Sequence, residues 1–353
     1  MGRRVYFPSV AFLCLSISGC SSGSRIPVVE QTKMAMGTFF TVALYGPVET
    51  HRAEEAISAA FDTIEAVEAW ASGKLPGSEI SLLAQYAGKE TVRVSSDLDS
   101  LLRLAQQVSS ASEGAFDVTV GALTHLWGFE DSPSLPPDSG AVDSARALVG
   151  YRELCRGPRG VFLPRPGMRL DLGAIAKGWA VDRAFELLRA RGFADLVVDG
   201  GGDLRIASSS VTAGKRRVWV RHPRRAGEYF ARFPLDSGAV ATSGDYERYF
   251  LCKGRRFHHI LDPRTGWPAW SCASVTVTGP STALCDAWAT AIFVLGPEKG
   301  LQAARRIPGL QALVVSEHAG RLYWEATEEL AAILEVLDAQ AVRGFPSSSL
   351  SEP

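Results

Sequence analysis

The chain is poor in cysteine and in net charge, and each shortage argues against a class of protein. Its 353 residues include six cysteines, and no two of them are spaced as C-x-x-C. A disulfide scaffold, a paired-cysteine zinc site and a thioredoxin-like redox motif are therefore unsupported. The formal net charge is −1, from 37 basic and 38 acidic residues. Because nucleic-acid-binding domains are usually strongly basic, the sequence predicts no nucleic-acid partner.

Sequence signatures of common nucleotide-binding folds are missing as well. Gly200, Gly201 and Gly202 follow a predicted strand, but Arg205 stands where the G-x-G-x-x-G fingerprint needs its last glycine. Neither a G-x-x-x-x-G-K-[ST] run nor an H-E-x-x-H run occurs in the chain. These absences argue against a Rossmann dinucleotide site, a P-loop nucleotidase and a zincin-type metalloprotease.

An apolar segment near the N-terminus is too short to span a membrane. Arg3 and Arg4 precede residues 5–17, which are mostly apolar, whereas a spanning helix needs about 20 such residues. This layout is typical of a secretory signal, and the end of the segment, Ile17-Ser18-Gly19-Cys20, resembles a bacterial lipobox. We therefore expect removal of residues 1–19, a lipid on Cys20 and a tether over 20–29. The predicted location is the bacterial cell envelope, anchored and facing the periplasm or another extracytoplasmic side.

The rest of the chain contains periodic helical segments and short strands. Apolar residues recur at helical spacing over 49–70, from 96 onward, and over 174–191, 283–294, 298–306 and about 328–336. Short β-branched runs predict strands at 196–198, 218–220, 229–233 and 275–278. Because the two types follow no regular strand-helix-strand order, the sequence favours an α+β fold. We expect one folded unit over 30–340 and a disordered tail over 341–353.

Asp286 and Thr290 lie four residues apart in a predicted helix. Residues at this spacing share one helix face, so a carboxylate and a hydroxyl can converge on one point. Oxygen ligands of this kind suit magnesium, which takes few ligands from the protein. The same pair is also common on a solvated helix face, so the spacing alone leaves both interpretations open.

Residues 171–178 predict a turn from a strand into a helix through Gly173. Amide groups in the first turn of a helix form a natural anion site, and Lys177 stands about one turn in, where it can meet a phosphate. A plain turn with a surface lysine is the alternative. Further on, His258 and His259 are adjacent and must face opposite sides of an extended segment. We expect one of them to act in a site and the other to pack.

Several separated segments, taken in order, resemble one known family. They cover residues 36–38, 114–121, 126–129, 171–182, 201–203, 242–246, 259–266 and 286–291. Together they resemble the ApbE family, the FAD:protein FMN transferases, from about residue 30 to 340.

The resemblance implies an α+β catalytic unit related to the T-fold, with FAD and magnesium bound in a cleft between two lobes. It implies magnesium ligation by the side chains of Asp286 and Thr290 and by the backbone carbonyl of Ala174. For a general base, His259 is the first candidate because histidine titrates near neutral pH, and Asp245 is the second. The positions that correspond to FAD contacts are Met36, Ala115, Phe116, Asp117, Asp171, Lys177, His259 and Ile260.

The reaction implied by the resemblance moves FMN from FAD to a threonine or serine hydroxyl of an acceptor protein and releases AMP. Subunits of membrane redox complexes are the expected kind of acceptor. Two alternatives remain open at this stage: an FAD pyrophosphatase that gives FMN and AMP, and a lipoprotein that binds FAD without catalysis.

One segment departs from the family pattern. Lys74 stands near the position at which ApbE proteins carry an aromatic residue, and the run that follows lacks the family's arginine and asparagine. We expect the stacking contact on the nucleotide to be lost or supplied by Trp70. The departure concerns FAD affinity and not metal binding.

Overall fold

The computed structural model describes residues 27–131, 133–208 and 216–346. The predicted signal segment, Cys20 and residues 347–353 lie outside the described residues. In the described part, no helix is both long and apolar enough to cross a membrane.

Helices and strands are interspersed along the described residues. The helices are α1 (Thr50–Ala71), α2 (Glu79–Gln85), α3 (Ser96–Ala111), α4 (Gly121–Trp127), α5 (Ser139–Arg146), α6 (Ala176–Ala190), α7 (Thr282–Leu295), α8 (Pro297–Ala304) and α9 (Glu328–Ala331). The strands are β1 (Val29–Ala35), β2 (Thr38–Leu44), β3 (Cys155–Gly157), β4 (Gly160–Phe162), β5 (Leu196–Gly200), β6 (Asp203–Ala207), β7 (Arg217–Arg221), β8 (Tyr229–Pro234), β9 (Gly238–Gly244), β10 (Tyr249–Cys252), β11 (Arg255–His258), β12 (Ser274–Gly279), β13 (Gln311–His318), β14 (Arg321–Ala326), β15 (Glu335–Val336) and β16 (Val342–Arg343). This content confirms the α+β prediction.

The largest sheet orders its strands β1-β2-β5-β6-β9-β12-β13-β14-β16. Its neighbours pair antiparallel except β14 and β16, which are parallel. Alternate residues of β2 show what covers each face of the sheet. Val42 and Leu44 belong to a core shared with α1, α6 and α7, which we call the helical core. Ala43, between them, belongs to a second core shared with β7 and β8. The sheet therefore has helices on one face and the small sheet β15-β8-β7 on the other.

A third, smaller hydrophobic cluster joins α4, α5 and the hairpin of β10 and β11. Trp127 lies at its centre, stacks on Phe257 and donates from Nε1 to the carbonyl of Gly266 at 2.9 Å. The chain that follows β11 passes between this cluster and the helical core, since Ile260 packs in the helical core and Leu261 in the third cluster. Residue His259 therefore lies at the junction of two packing units.

The last part of the chain differs from the prediction. The helix expected over about 328–336 ends at Ala331, and Glu335–Val336 instead pair with β8 as β15. Likewise Val342–Arg343, placed in a disordered tail by the sequence, pair with β14. Both short strands owe their structure to partners distant in sequence, which a local apolar pattern does not report.

Candidate active site

Helices α6 and α7 bring a lysine and an aspartate together beside the start of β6. The ammonium nitrogen of Lys177 lies 2.5 Å from Oδ2 of Asp203 and 3.4 Å from Oδ2 of Asp286. The backbone amide of Gly178 also donates to Asp286 Oδ2, at 3.3 Å. Both aspartates are buried, so one lysine shares its charge between two carboxylates that water barely reaches.

The electrostatics of this cluster favour bound cations. Burial raises the pKa of Asp203, and the neighbouring Asp286 carboxylate raises it further, against the lowering effect of Lys177. Burial opposes the charge on Lys177, but Asp203 and Asp286 outweigh it and raise the pKa of the lysine well above its usual range. The lysine therefore stays cationic, and two acids facing one cation leave room for a second positive charge.

Hard oxygen donors also lie on or next to the helices that carry the cluster. Thr290 lies one turn after Asp286 on α7, and its hydroxyl is 3.1 Å from the hydroxyl of Ser243 on β9. Ala174 lies just before the start of α6. Among the described residues, no three His, Cys, Asp or Glu side chains come together as a metal cluster. A carboxylate, hydroxyls and a carbonyl fit magnesium, which binds through few protein ligands.

The two adjacent histidines have different surroundings. His258 is buried and packs edge-on against Phe293 of α7, and its Nδ1 accepts a hydrogen bond from the Ile260 amide. Burial lowers the pKa of His258 to about 3, so this imidazole is neutral. It is the packing member of the pair.

His259 is half-buried and is held from the backbone of Arg248. Its amide donates to the Arg248 carbonyl at 3.1 Å, and its Nδ1 lies 3.3 Å from the same oxygen. Because a carbonyl can only accept, Nδ1 carries the hydrogen and Nε2 keeps its lone pair. Burial, followed by the charge of Arg248, lowers the pKa of His259 and keeps it neutral. Nε2 is therefore unprotonated and has a free lone pair, and the lowered pKa makes it a weaker base than a free imidazole.

Asp245, the second candidate base, has another role. Arg224 binds both of its carboxylate oxygens, at 2.6 and 2.8 Å, and Arg256 donates to Oδ1 at 3.0 Å. These contacts engage both carboxylate oxygens and so disfavour Asp245 as a base. Asp245 joins Arg224 of the β7–β8 turn to Arg256 of β11, and His259 stays the first candidate.

The positions expected to contact FAD fall into two groups. Met36 lies in the tight turn between β1 and β2, beside the turn of Gly201, whose amide donates to the Phe39 carbonyl at 3.0 Å. Asp171 accepts from the Gly173 amide at 2.8 Å, and its own amide donates to Val118. Together with Lys177 and His259, these residues lie in turns and element ends, where a ligand can reach them.

The other group is buried. The side chains of Ala115, Phe116 and Ile260 belong to the helical core, so only backbone atoms of these residues can face a ligand. Asp117 accepts hydrogen bonds from the amide and hydroxyl of Thr119 and from the Tyr151 amide, and burial raises its pKa. Its carboxylate therefore organises the surrounding loops.

An open cleft of about 290 Å³ adjoins Asp117. It joins two of the segments that carry the sequence resemblance, because its lining includes Gly114 and Asp117 from one and Pro263 and Arg264 from the other. Residues 149–153 form the remaining wall. The cleft is large enough to take part of a nucleotide.

The departing segment carries no aromatic side chain at the expected place. Lys74 forms an exposed ion pair with Glu130, with 2.5 Å between Nζ and Oε2. Trp70 packs against the helical core. Sequence reasoning also missed Asp203 and Ser243 as members of the site. The signal for Asp203 was its position after Gly201 and Gly202, which both adopt positive φ in a tight turn.

Comparisons with known proteins identify the family of this chain. The model of the ApbE family matches residues 36–314. A FAD:protein FMN transferase of Treponema pallidum is 32% identical over 323 residues, which cover 87% of this chain and 89% of that protein. One from Klebsiella pneumoniae is 31% identical, over 82% of this chain and 90% of the relative.

Solved structures show the same fold. The crystal structure of the ApbE protein from Thermotoga maritima has a TM-score of 0.78 and 30% identity, and it covers 86% of this chain and 98% of its own. The flavin transferase ApbE of Vibrio cholerae has a TM-score of 0.77 and 26% identity, with coverage of 86% and 98%. By its sequence and its fold, this chain belongs to the ApbE family.

Proposed function

We propose that this chain is a FAD:protein FMN transferase. In this reaction FMN moves from FAD to a threonine or serine hydroxyl of an acceptor protein, and AMP is released. The observation that carries the proposal is the buried cluster of Lys177, Asp203 and Asp286 in a chain of the ApbE family. The names of the relatives, FAD:protein FMN transferase, support it.

The metal of the site would be magnesium, held by the side chains of Asp286 and Thr290 and the backbone carbonyl of Ala174. When bound, the ion supplies positive charge that stabilises a diphosphate as its bond breaks. The support for this assignment is the set of hard oxygen donors and the excess of carboxylate charge over the single lysine. Lys177 supplies the second positive charge and stays protonated throughout.

Residues of this chain accept the proton and stabilise the developing charge. The acceptor hydroxyl oxygen attacks the phosphorus on the FMN side of the diphosphate, and the bond from that phosphorus to the bridging oxygen breaks, so AMP leaves with the bridging oxygen. His259 Nε2 takes the hydroxyl proton, while its Nδ1 hydrogen bond to Arg248 fixes the ring. Lys177 stabilises the negative charge that develops on the phosphate oxygens.

FAD would contact Met36, Asp171, Lys177 and His259 through half-buried side chains, and residues 115–117 and Ile260 through their backbone. The cleft beside Asp117 is the proposed place for one end of the nucleotide. Since Lys74 is engaged by Glu130, we expect no aromatic stacking from this segment and a correspondingly weaker hold on FAD.

Export and anchoring complete the proposal. The pattern of residues 1–20 supports a lipid on Cys20 and a site that faces the extracytoplasmic side of the cell envelope, where subunits of membrane redox complexes would be acceptors. Replacement Cys20→Ala should release the protein from the membrane fraction. Retention of that variant in membranes would contradict the anchor.

The experiment for the activity combines the purified chain with FAD, magnesium and a flavin-accepting domain, and reads fluorescence of that domain in a denaturing gel. We expect a fluorescent band with the wild type, none with Asp286→Ala, and an unchanged band with the matched control Asp236→Ala, which alters an exposed loop carboxylate. A dark acceptor with and without magnesium would contradict the proposal.

The two alternatives predict different results in the same assay. Rapid release of free FMN and AMP, without a labelled acceptor, would indicate a pyrophosphatase. An FAD carrier would bind FAD, leave the acceptor dark and lose little beyond some affinity in Asp286→Ala.

A further inference from the structure

The hairpin of β10 and β11 depends on contacts outside itself for its orientation. It forms a sheet of its own, and among the described residues no other strand pairs with either edge. A two-stranded hairpin is only marginally stable in water unless it packs against the rest of a protein. His259 follows β11 directly and is hydrogen-bonded to the carbonyl of Arg248, just before β10. The contacts that orient the hairpin therefore also place the proposed base.

The two faces of the hairpin are anchored by different contacts. Phe250 and Phe257 are register partners, and both pack on the third cluster. Arg256 and His258 alternate with Phe257 along β11, so they lie on the opposite face. His258 packs on Phe293 of α7. The second face is thus anchored by the ring of His258 and by the charge of Arg256.

The hairpin has no carboxylate of its own to neutralise its cations. Residues 248–259 contain four arginines and lysines and no acidic residue. The partner of Arg256 is Asp245, whose Oδ1 lies 3.0 Å from Nη1 of the arginine. Asp245 is buried, and it stands three residues before Arg248 in the connection from β9 to β10. One carboxylate therefore binds β11 and also lies close in sequence to the carbonyl that bonds His259.

Asp245 is itself attached to both the large sheet and the small sheet. Its amide donates to the carbonyl of Ala273 at 3.2 Å, beside the start of β12. Arg224, in the turn between β7 and β8, binds both of its carboxylate oxygens and donates from Nε to Glu317 of β13 at 2.7 Å. Because a bidentate, largely buried pair keeps its geometry better than an exposed one, Asp245 is a fixed point for the hairpin.

The turn that carries Arg224 is fixed by His222. Nδ1 of this histidine accepts from the amides of Arg224 and Arg225, at 3.1 and 3.0 Å. Since an amide only donates, Nδ1 carries no hydrogen, and Nε2 donates to Oδ2 of Asp338 at 3.1 Å. Both His222 and Asp338 are buried. Arg224 therefore reaches Asp245 from a backbone that is held in place.

We propose that Asp245 is a positioning residue for His259 in FMN transfer. This inference rests on the proposed transferase function. By binding Arg256, Asp245 holds β11 and so fixes the point at which Nε2 of His259 meets the acceptor hydroxyl. Without this carboxylate, the guanidinium groups of Arg224 and Arg256, which share Oδ1, would repel each other and displace the hairpin. A displacement of about 1 Å at a reacting group can cost a hundredfold in rate.

The kinetic test measures transfer to the flavin-accepting domain by the full chain in detergent. Asp245→Asn and Arg256→Met each remove the ion pair between Asp245 and β11. In both variants we expect kcat at saturating FAD and acceptor to fall about tenfold to a hundredfold, while the KM for FAD stays unchanged. In a His259→Gly background, Asp245→Asn should cause no further fall in kcat, because no base is left to position.

Amide hydrogen exchange tests the positioning without relying on activity. Asp245→Asn should speed exchange over residues 248–260 by about tenfold, while exchange in α1 and α6 keeps its wild-type rate. The matched control is Glu335→Gln, which removes a carboxylate that also binds an arginine through two oxygens, but between β15 and β8. We expect wild-type kcat and exchange in this control. Thermal unfolding of each variant verifies the fold.

Each further outcome has a defined meaning. If the wild type transfers FMN but Asp245→Asn and Arg256→Met keep its kcat, the inference is overturned and the transferase function stands. An equal fall in kcat with and without His259 would mean that Asp245 does not act through the histidine, and unchanged exchange over 248–260 would mean that it does not hold the hairpin; either result overturns the inference. If the wild type labels no acceptor, the proposed function itself fails, and the positioning role in transfer fails with it.

Discussion

Lys177 shares its ammonium group between Asp203 and Asp286, and this shared charge is the central feature of the candidate site. Two carboxylates taken out of water are costly unless cations neutralise them. Lys177 therefore lowers the cost of burying the two acids, and in the proposed reaction it would also meet the substrate.

Replacing Lys177 by methionine should lower kcat by about a hundredfold or more at saturating FAD and acceptor, because removing one preorganised charge partner of a transition state typically costs that much. Lys177→Arg keeps the charge but changes its geometry, so its kcat should lie between that of the wild type and that of Lys177→Met. Steady-state kinetics on the three proteins measure this. An unchanged kcat in Lys177→Met would show that the lysine serves only the fold.

His258 makes stability depend on pH. Its pKa is about 3 in the folded protein, against about 6.5 in an unfolded chain, so unfolding takes up a proton between these values. The stabilisation is complete above about pH 6.5 and is lost as the pH falls towards 3. At pH 5 the loss amounts to about 2 kcal/mol.

The variant His258→Asn keeps an acceptor near Nδ1 for the Ile260 amide but cannot titrate in this range. Urea unfolding at pH 7 and pH 5 should therefore show a smaller acid-induced loss of free energy in the variant than in the wild type, by about 2 kcal/mol. Equal losses in both proteins would mean that His258 does not remain neutral in the fold.

At the residue scale, sequence spacing could identify only part of the site. The four-residue interval between Asp286 and Thr290 is enough to predict their common helix face. Asp203 could not be found in this way, because it meets Lys177 and Asp286 only through the pairing of β5 with β6 and the packing of α6 on α7. The same holds for Asp245, whose partners Arg224 and Arg256 come from other elements.

At the scale of elements, the site depends on the close crossing of α6 and α7. Asp182 of α6 accepts from the amides of Thr282 and Ala283, at 2.8 and 2.9 Å, and so caps the start of α7 from outside. A Cβ added to Gly178 would lie 2.5 Å from the Thr282 carbonyl oxygen. Only glycine permits this approach, which sets Lys177 beside Asp286.

Gly178→Ala should accordingly push the helices apart. We expect a loss of about 1–3 kcal/mol in the free energy of unfolding, as for other overpacked interiors, together with a fall in kcat. Gly157→Ala is the matched control, since a Cβ there meets nothing within 4 Å and φ is not positive. If denaturant unfolding and kinetics show the two variants alike, the helices are not in fixed contact.

The elements also differ in how far sequence predicts them. Long helices such as α1, α6 and α7 bury a continuous stripe or nearly their whole surface, so their apolar periodicity reveals them. The short strands β15 and β16 have two residues each and depend on β8 and β14 for their hydrogen bonds. Local sequence holds no comparable signal for them.

At the scale of the whole molecule, the chain is nearly neutral, but charged residues are concentrated at two places. The net charge of −1 conceals a buried acidic cluster around Lys177 and a basic hairpin beside His259. The site lies where the helical core meets the third cluster, which is the junction that the hairpin spans. The total charge argues against a nucleic-acid partner, but it reveals neither the buried acidic cluster nor the basic hairpin.

The most direct test of the transferase function is the ratio of AMP released to FMN bound covalently to an acceptor protein. The measurement uses the full chain with FAD, magnesium and a flavin-accepting domain, and it combines nucleotide chromatography with intact-protein mass spectrometry. We expect equal amounts of AMP and acceptor-bound FMN, both lost in Asp286→Ala. Release of AMP with free FMN and an unmodified acceptor would contradict it.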